Sequence, residues 1–433
     1  MKVQIVTLGC SKNRVDSEHI LFQLKQAGVE ISPEGEELEN GGVDAVILNT
    51  CGFINDAKEE SINAILEAVE AKNRGWISKV YVFGCLSQRY MDELKSSIPE
   101  VDAFMGAFDV NSVLSAVSVK FDSKLITRRL ITSPSHYAFL KISEGCDRVC
   151  SYCAIPSIRG AHHSVPMEQL VDEAEYLASL GVKELIVIAQ DTTYYGLDLY
   201  KKRMLAPLLQ KLSEVKGIEW IRVHYSYPAS FPEDVLDFMA SSDKMCKYLD
   251  IPLQHSADKV LAAMRRNVDG KETRQLVEMM RKKVPGVVLR TTMIVGHPGE
   301  GEEEFQDLLQ FVKDYKFERL GAFTYSEEEG TWGAQNLIDS ISAEEKQDRY
   351  DQLMELQSEI SLDYNVSRIG GVEQVLIDSF TDGVFVGRSH NESPEVDGEI
   401  LIAGKESDKL IGQFVNVKIE NANEYDLMGS IIL

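Results

Sequence analysis

Gly145-Cys146-Asp147-Arg148-Val149-Cys150-Ser151-Tyr152-Cys153 places three of the chain's seven cysteines within eight residues, spaced C-x3-C-x2-C. Thiolates at that spacing can take three corners of a cubane 4Fe-4S cluster from one short loop. No fourth cysteine stands at comparable distance, so one iron would keep an open position able to bind a small molecule. Zinc fits less well, because it takes four ligands, commonly from C-x2-C pairs. Three more cysteines each stand directly after a short apolar run, at Gly9-Cys10, Thr50-Cys51-Gly52 and Gly84-Cys85. Core-filling cysteines would be scattered within such runs. A second three-cysteine cluster with one open iron is therefore expected on Cys10, Cys51 and Cys85.

The elements that must position these residues follow from hydrophobic periodicity. Strands are expected over residues 3–8, 44–48 and 79–83, and helices over 16–26, 58–71 and 88–97. That β-α-β-α order implies an open parallel sheet, with all three cysteines at its carboxyl edge, where such folds bind ligands. The Glu- and Gly-rich stretch 33–42 reads as a solvated surface loop.

Six more strands are expected over 137–142, 184–189, 220–224, 248–251, 287–295 and 319–325. Helices are expected over 167–180, 204–214, 232–239, 257–266, 271–283 and 302–313. Six strand-helix repeats suggest a partial (β/α)6 barrel with its site at the C-terminal strand ends. Gln190, Asp191, His224, Ser226, Gln254, His255, Gly296, His297 and Gly299 stand at those ends. Each histidine is individually as well explained as a structural hydrogen-bonding residue. Gly296-His297-Pro298-Gly299 allows close approach to a ligand, or is a simple tight turn. Arg159 and Gly160 follow the cysteine loop and could hold a ligand or form a structural ion pair, and Cys246 reads as structural.

A connector helix over 343–366 precedes Gly370-Gly371. Short segments at 373–377, 383–387, 399–402, 414–419 and 427–432 then suggest a small antiparallel β-barrel. The expected domains are thus 1–125, 132–366 and 369–433, an α/β class overall.

The net charge of −24 disfavours phosphate-backbone partners and suits a basic protein. The segment from residue 371 onward holds twelve acids against four bases, a net −8, the wrong sign for gripping RNA. No apolar run approaches the ~18 to 20 residues of a membrane span, and the start reads as a strand rather than a leader. Six of seven cysteines in metal-binding patterns fit a reducing, cytoplasmic setting.

The C-x3-C-x2-C loop, with Tyr152 before its last cysteine, resembles the radical S-adenosylmethionine (SAM) superfamily. There the open iron holds the amino and carboxylate groups of SAM, and one electron cleaves it to a 5′-deoxyadenosyl radical. The resemblance implies a SAM pocket around Tyr152, Gln190, Asp191, Gly296 and His297, with no catalytic residue assigned beyond the cluster ligands. Gln190 and Asp191 stand where that superfamily often has Gly-Gly-Glu.

Nearly the whole chain is similar to the methylthiotransferases, which join a three-cysteine domain, a radical SAM barrel and a C-terminal TRAM barrel. The matching stretches are Leu8-Gly9-Cys10-Ser11-Lys12-Asn13, Asn49-Thr50-Cys51-Gly52-Phe53-Ile54, Gly84-Cys85-Leu86-Ser87-Gln88-Arg89-Tyr90, Lys141-Ile142-Ser143-Glu144-Gly145-Cys146 and Cys153-Ala154-Ile155-Pro156-Ser157-Ile158-Arg159-Gly160. The MiaB-like branch modifies an adenosine in tRNA and usually reads Gly-Cys-Gln-Met-Asn. The RimO-like branch modifies an aspartate β-carbon of small-subunit ribosomal protein S twelve. It typically reads Gly-Cys-Ser/Pro-Lys-Asn followed by Val-Asp-Ser-Glu. Cys10-Ser11-Lys12-Asn13-Arg14-Val15-Asp16-Ser17-Glu18 resembles the RimO-like form. That likeness implies two 4Fe-4S clusters on Cys10, Cys51, Cys85 and on Cys146, Cys150, Cys153, with SAM as cofactor. It also implies a ribosomal protein substrate, met alone or within the subunit, a flavodoxin or ferredoxin as electron donor, and a sulfur donor. The alternatives are tRNA modification and a non-catalytic iron-sulfur protein that binds RNA or senses redox state.

Overall fold

Alternation within the first apolar runs sends side chains to opposite sheet faces, and both faces find a helical cover. In the computed structural model, residues 1–36, 38–39, 42–405 and 409–432 are described. Strands β1 (Lys2–Thr7), β2 (Glu30–Ser32), β3 (Ala45–Thr50), β4 (Lys79–Gly84) and β5 (Ala103–Phe104) form a sheet in the order β2-β1-β3-β4-β5. Every ladder is parallel. Val3, Ile5, Ala45 and Ile47 pack on α1 (Ser11–Gln26) through Ile20, Leu21 and Leu24. Val46, Leu48, Val80 and Val82 pack on α2 (Asn55–Asn73) through Ile65, Ala68 and Val69. Burial of all six β3 residues follows from that double cover.

Some expected boundaries shift. Helix α1 starts at Ser11, not residue 16, so Cys10 is its N-cap residue. The helix expected over 88–97 is two, α3 (Cys85–Arg89) and α4 (Met91–Ser97), because Tyr90 leaves helical geometry at φ −127°. Strands β2 and β5 have only three and two residues, too few to show a period. Part of the 33–42 loop is held on β1, since Gln4 Nε2 donates to the carbonyls of Pro33 (2.8 Å) and Glu36 (3.0 Å). Glu37, Asn40 and Gly41 of that loop lie outside the described residues.

Two compact units divide the chain: Met1–Ser133 with Phe139–Arg148 and Ala154–Leu177, and Pro134–Ala138 with Val149–Cys153 and Ala178–Leu433. The first also contains α5 (Val110–Ala116) and α6 (Ile155–Arg159). Strand β6 (Tyr137–Lys141) begins in the second unit, while β7 (Ser143–Glu144) and β8 (His163–Ser164) pair antiparallel in the first.

In the second unit β9 (Glu184–Ile188), β10 (Trp220–Val223), β11 (Met245–Asp250), β12 (Val288–Val295) and β13 (Arg319–Thr324) form parallel neighbours. The sheet order β13-β12-β11-β10-β9-β6 is that of the open six-stranded barrel expected. Strand β11 begins three residues early, which places Cys246 inside it. There burial beside Trp220, Tyr248 and Val288 pushes its thiol up to about 12, an inert structural thiol.

The chain then runs through the helix Ala343–Ser367 into β14 (Val372–Thr381), β15 (Val384–Arg388), β16 (Ile400–Ala403), β17 (Phe414–Ala422) and β18 (Leu427–Ile431). These close a barrel in the order β14-β15-β16-β18-β17 around Val375, Ile377, Phe385, Ile400, Ile402, Val417, Ile419 and Leu427. The expected antiparallel pairing holds except between β16 and β18, which run parallel.

Part of this barrel's charge is tied up in contacts with the sheet. Glu184 on β9 accepts from Arg222 Nε and Arg388 Nη1, each at 2.8 Å, and Arg388 continues to Asp378, which faces His136 at 2.7 Å. Glu392, only 1% exposed, pairs with Arg319 of β13 at 3.1 Å and with Arg368. Tyr248 donates to Asp397 at 2.7 Å, and Tyr137 to Glu395 at 2.8 Å. Glu406 and Asp408, counted in the −8, lie outside the described residues. The terminal barrel is thus joined to the sheet by buried ion pairs.

Candidate cluster and cofactor site

Cys10, Cys51 and Cys85 follow β1, β3 and β4, three adjacent parallel strands, so their backbones meet at one sheet edge. In the order 2-1-3-4-5 the crevice opens between β1 and β3, and Cys10 and Cys51 flank it. Burial, with charge on Cys10 and Cys85 adding to it, pushes the Cys51 thiol up to about 11. Burial also raises Cys85, while the Arg159 guanidinium opposes it. Among the described residues no three His, Cys, Asp or Glu side chains could hold a single metal ion. A cubane sets a different demand, because its thiolates go to separate irons.

The motif residues around these cysteines fasten the strand ends. Asn13 Nδ2 donates to the carbonyls of Leu8 (2.8 Å) and Thr50 (3.3 Å), and Asn49 Nδ2 donates to the Asn13 carbonyl (2.8 Å). Ser61 Oγ accepts from Cys51 N at 3.0 Å. A Cβ on Gly9 would lie 2.6 Å from Cys51 Cβ, and one on Gly52 2.7 Å from the Leu86 backbone. Gly84 has φ +104°, and its Cβ would meet the Thr50 carbonyl oxygen at 2.5 Å. Gly84→Ala is therefore expected to cost at least ~1–3 kcal/mol from backbone strain alone, measurable by urea unfolding.

Asp16 and Glu18 of the Val-Asp-Ser-Glu stretch act as anchors. Asp16 pairs with Lys141 and with Arg159 (3.4 Å). Glu18 accepts from Arg129 (3.1 Å) and from Thr132 N (2.8 Å). Arg159, which the sequence left between a ligand contact and an ion pair, donates from Nε to Cys85 Sγ at 3.2 Å.

The C-x3-C-x2-C loop contributes residues to both units. In the first unit, Gly145 has φ +73° and lies so near Ala161 that a Cβ would stand 2.0 Å from its carbonyl oxygen. The Cys146 sulfur accepts from Arg148 N at 3.4 Å. In the second unit, Arg266 Nη1 lies 3.5 Å from Cys150 Sγ and donates to the Tyr152 hydroxyl at 3.2 Å. Arg266 also stacks over Tyr227, 4.3 Å from the ring centroid. No motif marked Arg266, which stands on an irregular turn after a helix; only folding brings it to Cys150.

Several residues expected in the SAM pocket have partners within the protein. Asp191 accepts from Thr193 N (2.9 Å) and Oγ1 (2.6 Å), capping a short 3-10 turn. His297 is fully buried, with Nδ1 2.9 Å from the Pro298 carbonyl and Nε2 3.3 Å from Ser151 Oγ. Burial lowers its pKa to about 4, so it braces the cysteine loop as a neutral ring. Gly296 takes φ +73°, and a Cβ there would strike the Lys346 side chain at 2.3 Å. His224 faces Ser393 of the C-terminal segment at 2.8 Å, and His255 faces Glu300 at 3.2 Å. Tyr152 and Gln190 are half-buried. Ser226 Oγ and Gln254 Oε1, just past β10 and β11, are buried with no hydrogen-bond partner among the described residues. Orphaned polar atoms cost roughly 1–3 kcal/mol each, so their place at the carboxyl strand ends suits a polar ligand such as SAM.

Comparison with known proteins places this arrangement. The radical SAM superfamily matches residues 140–312, the uncharacterized protein family UPF0004 residues 2–106, and the TRAM domain residues 369–432. The fold is similar to the radical SAM methyltransferase TsrM of Kitasatospora setae, with TM-score 0.56 at 12% identity over 88% of this chain and 81% of that one. It is also similar to the cobalamin-dependent radical SAM enzyme OxsB, with TM-score 0.52 at 12% identity over 83% and 56%. Full-length relatives are far nearer in sequence. The ribosomal protein uS12 methylthiotransferase RimO of Cytophaga hutchinsonii is 51% identical, over 100% of this chain and 98% of its own length. That of Bacteroides fragilis is 50% identical, over 99% of each. With its three parts matched and its whole length aligned, the chain belongs to the RimO family of radical SAM methylthiotransferases.

Proposed function

We propose that this chain replaces a β-carbon hydrogen of an aspartate in ribosomal protein uS12 with a methylthio group. The observation that carries the proposal is its roughly 50% identity, end to end, with curated uS12 methylthiotransferases. Two cysteine trios on separate segments suit a reaction with two tasks, breaking an unactivated C–H bond and delivering sulfur. Cys146, Cys150 and Cys153 would hold one 4Fe-4S cluster, and Cys10, Cys51 and Cys85 the other. When bound, these clusters and SAM supply the one-electron chemistry, the sulfur and the methyl group.

The chain's own residues have distinct work. Asn13, Asn49 and the glycines beside the first trio bring three strand ends together. Cys51 must give up a proton from Sγ to become a ligand, and its burial makes that costly until metal is present. Arg266 holds Cys150 and Tyr152 in register, and His297 braces the loop through Ser151. Ser226 and Gln254 would orient SAM, with Tyr152 and Gln190 beside them. Within the barrel mouth, Asp191, Gly296 and His297 act as supports for those contacts.

The domains 1–125, 132–366 and 369–433 would carry the first cluster, the second cluster with SAM, and the TRAM-like barrel. Among the described residues no helix is long and apolar enough to cross a membrane, in keeping with a cytoplasmic enzyme that meets uS12 free or in the small subunit. Its electron donor would be a flavodoxin or ferredoxin.

Anaerobic incubation with SAM, a reductant and sulfide tests the proposal, with uS12 and unmodified tRNA offered in parallel. Mass spectrometry should find the methylthio group on an aspartate of uS12. Modification of tRNA adenosine alone would overturn the assignment.

A further inference from the structure

We propose that Arg159 sets the reduction potential of the cluster on Cys10, Cys51 and Cys85, by donating from Nε to the Cys85 sulfur inside a closed charge network. The inference rests on the proposal that this trio holds a cluster. Arg159 is only 4% exposed, and all its nitrogens are engaged. Nε lies 3.2 Å from Cys85 Sγ, Nη1 lies 3.0 Å from each Glu144 oxygen, and Nη2 donates to Asn13 Oδ1. The Phe108 ring covers the guanidinium, with its centroid 5.5 Å away. Cys85, Ala154 and Ile158 pack together, so α6 cannot swing the side chain away.

Around it, Lys141 pairs with both Asp16 and Glu144. Two cations thus balance two carboxylates directly beside the trio. Adding an electron makes a cluster more negative. A buried cation donating to a ligand sulfur stabilises that reduced form, and charge and sulfur hydrogen bonds are the terms that set such potentials. Without Arg159 the trio would face a net negative neighbourhood in a poorly screened setting. Arg159 is a positioning residue, since its effect runs through Cys85.

The experiment uses the full chain with Cys146, Cys150 and Cys153 replaced by alanine, reconstituted with iron and sulfide. Potentiometric titration followed by electron paramagnetic resonance reads the remaining cluster. Arg159→Gln is expected to move the midpoint to more negative potential by at least tenfold in the reduction equilibrium, about 59 mV for one electron. Arg159→Lys, which keeps charge but loses the fixed Nε donor, should fall between. Asp16→Asn should move the midpoint the opposite way, and it carries the test if Arg159→Gln does not load. Midpoints equal to the parent's in loaded Arg159→Lys and Asp16→Asn proteins would overturn the proposal. A parent protein that takes up no iron or sulfide would instead overturn the cluster assignment, and this inference with it.

Discussion

Alanine at Cys10, Cys51 or Cys85 is expected to abolish methylthiolated uS12 while leaving reductive cleavage of SAM in place. Alanine at Cys146, Cys150 or Cys153 is expected to abolish both. The separation follows from where the trios sit. The first closes the edge of the β2-β1-β3-β4-β5 sheet, and the second lies on the loop after β6. Partners one step removed from a metal typically cost 10–100-fold when changed, so a lost thiolate should exceed ~100-fold in product. Side-by-side assays of 5′-deoxyadenosine and of product mass would check it. Full product from any one of the first three variants would sink the two-cluster scheme.

The second large effect concerns stability. Glu392→Gln is expected to destabilise the second unit by ~3–5 kcal/mol near neutral pH, the usual cost of removing one partner from a buried ion pair. Arg319 and Arg368 would both be left without their shared carboxylate. Ser389, which donates to Glu392 from N (3.1 Å) and Oγ (2.8 Å), would lose charged acceptors as well. Burial opposes ionisation of Glu392, yet Arg368 and Arg319 overcome it and hold the carboxyl at about 2. Because the folded value lies below the unfolded one of 4.5, its stabilisation is full above the unfolded value. It is lost as pH falls toward about 2. The variant should therefore unfold earlier at neutral pH and show a shallower acid limb over that window. Equal urea midpoints for the two proteins at neutral pH would refute the coupling.

Local pattern made the element order legible, because β-type alternation and helical periodicity record burial residue by residue. The six barrel strands stand where that pattern put them, and so do the five of the terminal barrel. Shifts occurred where a neighbour rather than a period decides. Tyr90 breaks one expected helix into two, and β2 and β5 form only because β1 and β4 offer open edges. Spacing singled out Cys146, Cys150 and Cys153, and a place directly after apolar runs singled out Cys10, Cys51 and Cys85, so both trios were candidates from sequence. Asp191, Gly296 and His297 stand at the expected strand ends, but their side-chain or backbone roles are fixed by Thr193, Lys346 and Ser151, from other segments or the following turn.

By itself, the sequence determined the α/β order, the spacing of both cysteine trios and the acidic balance of the chain. These are sums or short-range patterns, and no long-range contact is needed to read them. Only the tertiary structure decided which charges matter. It put Arg159 on Cys85 and Arg266 on Cys150, and turned acids such as Glu392, Asp378 and Asp397 into internal ties. Such partners stand tens to hundreds of residues apart. A buried charge chooses its counter-charge by distance and desolvation in three dimensions, for which linear sequence carries no local signal.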